Sequence, residues 1–275
     1  MKNVLKTAIL TAAVAVAGFA MPVLAVTTPA FTVNTSLFNY VTPDFAANFV
    51  NASASTLITL NPDNVTQNGK GYLTFDSFQN NGINLFASNT GLNLSADNGY
   101  TMYAEFAYTL KLIGGTYGKG GSTYNVTALN FSLYGEQSNG AASNSTFVKA
   151  DNTNVNSAVV THSADTKLLG TGGLVVGQST LNGLSGTSLN ATMNFALTND
   201  GQKFFIAPVP FYTLAFSSFT NTSNGFVVNS ATGLAEINNA SGGIDFNRVP
   251  EPTSVALLGL GLVALAASRR RRSAE

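Results

Sequence analysis

The chain contains no cysteine and no tryptophan, one histidine, and few charged residues among its 275 positions. The absence of cysteine excludes a disulfide framework, a thiolate metal site and a cysteine nucleophile. The single histidine, His162, excludes metal centres that need several imidazole ligands. Charged residues make up 9% of the chain, with 13 basic and 13 acidic side chains, so no basic surface for nucleic acid is expected. Polarity comes instead from 31 Asn, 31 Thr and 24 Ser.

Residues 1–25 are typical of a secretory signal peptide. Two lysines give the segment a positively charged start, and residues 8–20 are almost entirely apolar. The small-x-small sequence at 23–25 is a cleavage site, which predicts a mature chain that begins near Val26. A short N-terminal membrane anchor is the alternative.

Residues 249–275 contain three elements in sequence. The first is a pair of prolines around a glutamate, formed by Val249, Pro250, Glu251 and Pro252. Because proline lacks an amide donor and restricts its predecessor, this element is expected to be extended and accessible to a peptidase. The second is the apolar segment 253–268, which predicts a single transmembrane helix. The third is a membrane stop expected to stay cytoplasmic, formed by Arg269, Arg270, Arg271 and Arg272.

This order of elements resembles the PEP-CTERM sorting signal of exopolysaccharide-producing Gram-negative bacteria. The resemblance implies processing by an exosortase, a membrane peptidase, and a C-terminal helix that contacts the membrane transiently. It also implies a stage at the inner membrane, followed by the cell surface or the extracellular matrix. The alternative is an ordinary short anchor that follows a Pro-Glu-Pro sequence by chance.

Residues 26–248 predict one secreted all-β domain. Apolar and polar residues alternate with a period of two in the stretches 102–112, 129–133 and 189–197. This period is typical of strands with one buried and one solvent-facing side. Turn sequences rich in Gly and Asn separate the stretches, and no long amphipathic helix is found. The pattern predicts an antiparallel β-sandwich or a jelly roll.

Two segments of this domain carry more specific predictions. Asn199-Asp200-Gly201 stands between two apolar stretches and predicts a hairpin turn. Residues 136–188 have the weakest pattern and are rich in Ser, Asn, Thr and Gly, which predicts a long excursion or a mobile insert.

A second resemblance lies in the C-terminal part of the domain. The stretch 195–216, with Phe204-Phe205-Ile206-Ala207-Pro208-Val209-Pro210-Phe211-Tyr212 at its centre, resembles the flocculation-associated PEP-CTERM proteins, as does Gly243-Ile244-Asp245-Phe246. The resemblance implies a secreted protein that helps cells to aggregate within an exopolysaccharide matrix. From the residues themselves, the paired phenylalanines are expected in the core and the Pro-x-Pro sequence at an edge bend.

Candidate catalytic groups are few. A Ser-His-Asp arrangement would have to use His162, but no Gly-x-Ser-x-Gly elbow is present, and a loop or strand-end histidine is expected. Glycoside hydrolysis would need two facing carboxylates, most of which are expected at solvent-facing positions or in turns. The candidates are Asp76, Glu105, Glu136, Asp151, Glu236 and Asp245.

Candidate binding groups are neutral. The loop 151–156 is rich in oxygen ligands but departs from the helix-loop-helix calcium pattern, so an asparagine-rich turn is expected and no metal or cofactor is assigned. Tyr72, Tyr103 and Tyr134 could stack on sugars if they lie on solvent-facing sides of strands.

The sequence thus predicts an exported, non-enzymatic surface or matrix protein that promotes floc or biofilm cohesion with exopolysaccharide. The alternative is a glycan-binding cell-surface module, in which calcium could take part. A hydrolase that uses one of the carboxylates is the third hypothesis.

Overall fold

Extended strands dominate the computed structural model, which describes residues 28–94, 99–138, 144–182, 186–220 and 227–247. In chain order, the strands of these residues are β1 (Phe31–Val33), β2 (Phe45–Ala47), β3 (Phe49–Leu60), β4 (Thr66–Asn80), β5 (Ile83–Asn84), β6 (Tyr100–Gly114), β7 (Thr123–Gln137), β8 (Thr146–Val148), β9 (Val159–Thr161), β10 (Lys167–Asn182), β11 (Gly186–Asn194), β12 (Ala196–Leu197), β13 (Phe205–Ala207), β14 (Leu214–Thr220), β15 (Val227–Asn229) and β16 (Leu234–Asn247). Their short helices are the 3₁₀ helix η1 (Thr35–Phe38), α1 (Ala87–Thr90) and α2 (Asn199–Phe204).

Eight of these strands form one closed, barrel-like sheet. Each is antiparallel to both neighbours, in the order β3, β4, β6, β7, β10, β11, β14, β16 and back to β3. The pairing of β10 with β11 closes the ring and removes two free edges. The prediction of an antiparallel all-β domain is confirmed. The two facing halves of one closed sheet take the place of the separate sheets of a sandwich or jelly roll.

The predicted alternation places the apolar side of each long strand inside the closed sheet. In β6, Met102, Ala104 and Tyr108 are buried members of the core. Residues of the other two predicted stretches, 129–133 and 189–197, join the same core. The interior cavity measures about 50 Å³, far below the roughly 300 Å³ of a small-molecule site, so the interior is packed with side chains. Each large apolar side chain buried here contributes about 1.5–3 kcal/mol to stability.

Strand β10 corrects the prediction of an excursion or mobile insert over the whole of residues 136–188. It pairs with β7 on one side and with β11 and β12 on the other, so its Gly-rich sequence belongs to the closed sheet. Aromatic rings occupy the space beside its glycines: a Cβ atom at Gly172 would lie 2.1 Å from the Phe131 ring, and one at Gly170 would lie 2.7 Å from the Phe195 ring. The hydrophobic pattern of β10 is weak because its small residues lie beside large aromatic side chains of neighbouring parts of the sheet. Within the described part of this range, residues 144–166 lie outside the closed sheet and form the predicted excursion.

One end of the closed sheet is the place where the chain continues towards residues 248–275. There β16 ends at Asn247, which pairs with Leu214 at the start of β14. This end is termed the exit end. A small sheet in the order β13-β1-β2 belongs to it, because Phe31 of β1 packs against Phe246 near the end of β16, with ring centroids 5.4 Å apart.

Phenylalanine side chains close the exit end. The Phe31 ring also lies 5.7 Å from Phe205 and 6.3 Å from Phe211, in edge-to-face geometry. Phe204 and Phe205 are 0% and 2% exposed, which confirms the expectation that the paired phenylalanines are core residues. The segment 208–210, with cis peptide bonds before both prolines, connects this cluster to β14.

The predicted hairpin turn at Asn199-Asp200-Gly201 is wrong, because these residues begin helix α2. The Thr198 hydroxyl accepts a hydrogen bond from the Gly201 N–H at 3.1 Å and caps the helix. A Cβ atom at Gly201 would lie 1.8 Å from the Leu169 carbonyl oxygen, so glycine allows the helix to pack against β10.

In the described ranges, no helix combines the length and the apolar character needed to cross a membrane. The predicted signal peptide 1–25 and the predicted transmembrane helix 253–268 lie outside these ranges.

Substitution of the β10 glycines tests how closely the closed sheet is packed. Gly172→Ala is expected to lower the free energy of unfolding by about 1–3 kcal/mol, because the new methyl group overlaps the Phe131 ring and the Asn194 carbonyl. Gly173→Ala is the matched control, since its nearest neighbour would lie 3.5 Å away, and it is expected to be neutral. Urea unfolding followed by circular dichroism measures both. Equal stabilities would contradict the close approach of β10 to Phe131.

Candidate functional site

Residues 144–166, termed the covering segment, pack on the outer face of the closed sheet. Within the segment, β8 and β9 pair with each other. Phe147 of β8 lies against two outward-facing tyrosines of the sheet, with ring centroids 5.1 Å from Tyr72 and 5.3 Å from Tyr103. The segment therefore covers side chains that the alternation of the strands had directed towards solvent.

Strands β3 and β16 hold the middle of the covering segment. The Ala150 N–H donates to the Ser55 hydroxyl at 2.9 Å, and the Asn238 side-chain amide donates to the Ala150 carbonyl at 2.9 Å. The Asn152 N–H donates to the Glu236 carboxylate at 2.8 Å. The segment is thus attached across several strands, and Glu236 takes part in this attachment.

Glu136, near the end of β7, holds both ends of the covering segment. Its Oε1 accepts hydrogen bonds from the backbone N–H groups of Asn144 and Ser145, both at 2.9 Å. Its Oε2 accepts from the hydroxyls of Ser145 at 2.6 Å and Ser163 at 2.8 Å. Glu136 is 0% exposed, so the expectation of a solvent-facing position is wrong for this residue. A buried carboxylate is tolerated here because hydroxyl and N–H donors replace the hydrogen bonds that it would receive from water.

A second chain of hydrogen bonds lies beside Glu136. The Tyr103 hydroxyl is 2.7 Å from His162 Nδ1, and His162 Nε2 is 2.8 Å from the Glu105 carboxylate. The Tyr103 hydroxyl is also 3.2 Å from the Ser145 hydroxyl. The structure therefore brings together three predicted candidates, His162, Glu105 and Glu136, with a tyrosine between them.

The chemistry of this cluster is limited by burial. Burial raises the pKa of Tyr103, so its hydroxyl stays protonated at neutral pH and can donate to His162 Nδ1. The other ring nitrogen can then donate to Glu105. Such a chain could carry a proton, but the Tyr103 side chain is 0% exposed and lies under Phe147. The geometry fits anchorage of the covering segment, since the Tyr103 side chain is enclosed by protein, although the side chains of His162 and Glu105 are 36% and 33% exposed.

The predicted strand-end position of His162 is confirmed, because it directly follows β9. The printed sequence places Ser163 beside it, but the Ser163 hydroxyl donates to Glu136. The ring nitrogens of His162 bond instead to Tyr103 and Glu105. A Ser-His-Asp arrangement is not formed by these contacts.

Three other candidate carboxylates each have their own hydrogen-bond partners, apart from the cluster around Tyr103. Asp76 accepts a hydrogen bond from the Ser53 hydroxyl at 2.8 Å, and Glu236 binds the covering segment. In the loop 151–156, the hydroxyl and the N–H of Thr153 donate to Asp151 at 2.7 and 2.8 Å, and they lower the pKa of that carboxyl. Its oxygens therefore stabilise the loop's own turns, as expected for an asparagine-rich turn. Among the described residues, no three His, Asp or Glu side chains are grouped so that they could hold a metal ion.

A tyrosine platform for sugars, which the sequence left open beside a packed position at the edge of the core, is not formed at Tyr72 and Tyr103, because the covering segment lies over them. Tyr72 and Tyr103 lie on the outer face but are only 5% and 0% exposed, because Phe147 lies over both. Tyr134 is half-buried and stacks on Tyr103 at 5.3 Å. These rings therefore form part of a packed layer.

The part of the outer face shaped by β7, β10, β11, β14 and β16 contains a groove of about 600 Å³, termed the outer groove. Its apolar groups include Phe49, Phe216 and the pair Val175 and Val176, which are 56% and 61% exposed. Its neutral hydrogen-bonding side chains are Asn125, Thr127, Gln178, Asn190, Thr192 and Ser218.

Asp245 is the charged residue in the described lining of the outer groove. One oxygen of its carboxylate is buried without a hydrogen-bond partner among the described residues, and burial raises the pKa of this carboxyl. A neutral ligand with many hydroxyl groups suits this lining better than an anion. The sequence identified Asp245 as a candidate carboxylate but did not predict the groove. The sequence signal that could have indicated it is the pair Val175-Val176 within a Gly-rich stretch.

The predicted sorting residues Val249, Pro250, Glu251 and Pro252, and the predicted stop Arg269 to Arg272, lie outside the described residues. Residues 248–272 match the family model described as the PEP-CTERM protein-sorting motif. No curated protein and no solved structure matches the chain.

Removal of the Glu136 charge tests the anchorage of the covering segment. Glu136→Gln is expected to lower the free energy of unfolding by about 2–3 kcal/mol, because an amide cannot accept all the hydrogen bonds of a buried carboxylate. Proteolytic cleavage within residues 144–166 should become faster. Glu236→Gln is the matched control and should cost less, since Glu236 is only half-buried. A Glu136→Gln protein as stable and protease-resistant as the original would refute the anchoring role.

Proposed function

Because residues 248–272 identify this chain as a PEP-CTERM protein, we propose that it is an exported, non-enzymatic surface or extracellular-matrix protein that promotes floc or biofilm cohesion with exopolysaccharide. The motif indicates an extracellular protein that an exosortase processes, and export to the cell envelope or surface. The observation that carries the proposal is the position of the motif, which begins at residue 248, directly after β16 ends at Asn247.

The proposed route uses both ends of the chain. The signal peptide 1–25 directs export, and the apolar segment 253–268 with Arg269 to Arg272 holds the chain in the inner membrane for a limited time. Processing at Pro250-Glu251-Pro252 then separates this tail from the domain. The closed sheet is complete at Asn247, so removal of the tail would leave all of its described strands intact.

The non-enzymatic part of the proposal rests on what the candidate catalytic groups contact. Glu136 is surrounded by N–H and hydroxyl donors, and Glu105 bonds to His162. Tyr103, which joins these two acids, is covered by Phe147. These contacts support a role for the cluster in holding the covering segment in place.

The cohesion part of the proposal rests on surface chemistry and on the second resemblance. Asn, Thr and Ser supply many neutral hydrogen-bonding groups, which suit numerous weak contacts with hydrated glycans. The stretch 204–212, which resembles the flocculation-associated proteins, contributes to the phenylalanine cluster at the exit end. The residues that carry this resemblance therefore have a structural role in the present chain.

As a second candidate function, we propose that the outer groove binds a segment of neutral polysaccharide. Its volume of about 600 Å³ lies within the range of ligand sites, whereas the interior cavity is far smaller. Val176 and Phe216 offer apolar surface for the C–H faces of sugars. Gln178 and Asn190 offer amide donors and acceptors for hydroxyl groups.

Substitution of the two motif prolines tests the main proposal in cells that lack the native protein. Complementation with Pro250→Ala/Pro252→Ala is expected to leave the chain in the membrane fraction with residues 253–275 attached, and to restore less than about a tenth of the cell aggregation restored by the native chain. Pro62→Ala, in an exposed turn far from the motif, is the control and should restore aggregation fully. Aggregation that is equal with both variants, or that needs no protein at all, would refute the proposed role.

A single amide in the outer groove tests the second candidate. Gln178→Ala is expected to weaken binding of a purified neutral exopolysaccharide by about 5- to 10-fold, because a hydrogen bond to a sugar hydroxyl is lost. Gln202→Ala, an equally exposed amide on α2, should leave the affinity unchanged. Affinity electrophoresis with intact protein measures the effect. Equal affinities of the two variants would exclude the outer groove as the binding site.

A further inference from the structure

The most exposed large apolar side chains of the described residues share one end of the molecule. Val41 is 94% exposed, Val209 86%, Phe86 76% and Ile83 70%. Every other exposed apolar side chain in the described ranges is less exposed, and the next is Val176 at 61%. Scattered exposed apolar residues are normal, but a group of this kind at one end of a domain marks an interaction surface.

The contacts of Val41 and Ile83 place them at the exit end. Ile83 pairs with Asn80, the last residue of β4, beside the start of β3. The neighbours of Val41 bond to α1, since the Tyr40 hydroxyl donates to the Ser88 carbonyl at 2.8 Å. Both residues therefore lie at the end where β4 stops and β3 begins, and Val50 at the start of β3 pairs with Ile244 near the end of β16.

Phe86 and Val209 lie at the same end. Phe86 directly precedes α1, and Val209 lies between β13 and β14. Strand β14 begins at Leu214, the pairing partner of Asn247. The four exposed side chains therefore surround the end at which the chain leaves towards the sorting motif.

The length of chain after Asn247 restricts where this end can be. Five residues lie between Asn247 and residue 253, the first of the apolar segment. Fully extended, the six steps from residue 247 to residue 253 span roughly 20 Å. A strand such as β6, with 15 residues, is about 50 Å long. While the tail is in a bilayer, the exit end must therefore be close to the lipid surface, whereas the opposite end can be well away from it.

We propose that the exit end is a lipid-docking surface, and that Val41, Ile83, Phe86 and Val209 enter the interfacial region of the bilayer while the tail is still attached. This inference rests on the proposed function in one respect, namely that residues 253–268 reside in a membrane before processing. Burial of apolar side chains such as these at the boundary between headgroups and acyl chains lowers the free energy of the system. Docking would hold the Pro250-Glu251-Pro252 sequence at the membrane surface, where a membrane peptidase acts.

The absence of cysteine from the sequence makes this proposal directly testable with single-cysteine variants. Phe86→Cys and Val41→Cys place an environment-sensitive fluorophore at the exit end. Ile113→Cys and Val65→Cys place it at the opposite end, where side chains are 54% and 38% exposed. The full chain is reconstituted in vesicles of phosphatidylethanolamine and phosphatidylglycerol that carry a nitroxide quencher just below the headgroup. Flotation of the vesicles shows whether the chain is membrane-attached.

Chains that float with the vesicles, and whose labels at positions 86 and 41 are quenched at least threefold more than those at 113 and 65, would support the proposal. Floating chains with equal quenching at both ends would overturn the docking surface and leave the proposed sorting route intact. Blue-shifted emission without quenching at position 86 would also overturn it, since the label would then lie against a second copy of the chain. Chains that do not float would overturn both the membrane stage and the docking surface.

Discussion

The closed sheet depends on the fit between small residues of β10 and aromatic residues that point inwards from its neighbours. Without glycine at positions 170 and 172, the rings of Phe195 and Phe131 would have no space inside the sheet. β10 could not then approach both β7 and β11, and the sheet would keep two open edges. Closure of the sheet protects an exported protein against edge-to-edge aggregation. Glycine in the middle of a strand carries a backbone-entropy cost, which the packing of the rings offsets.

The outer face of the sheet is divided between two kinds of surface. Where the covering segment lies, the residues best suited to chemistry are used for structure. Glu136 receives backbone and hydroxyl donors, and Tyr103, which lies under Phe147, bonds to His162, which in turn bonds to Glu105. Where the segment is absent, the outer groove offers neutral amides and exposed valines. The groove therefore remains accessible, and its lining suits a neutral ligand with many hydroxyl groups better than a charged ligand.

Period-two patterns of apolar residues predicted the strands correctly where large side chains alternate, as from Met102 to Leu112. They could not predict β10, because a strand that accommodates rings from its neighbours has little hydrophobic signal of its own. Nor could they predict closure, which depends on the register between β10 and β11. The buried position of Glu136 was missed for a related reason, since its donors come from residues 8 to 30 positions further along the chain and from Thr101, 35 positions earlier. The sorting motif was the most predictable feature, because its meaning lies in the local order of its residues.

The intact mass of the protein from separate membrane and extracellular-matrix fractions tests the central claim most directly. The expected matrix form begins near Val26 and ends within Pro250-Glu251-Pro252, so that it contains the whole closed sheet and lacks the apolar tail. A protein found only in the membrane fraction, with Arg269 to Arg272 still attached, would contradict it. The tail would then be a permanent anchor, and release into the matrix would have no place in the function of this chain.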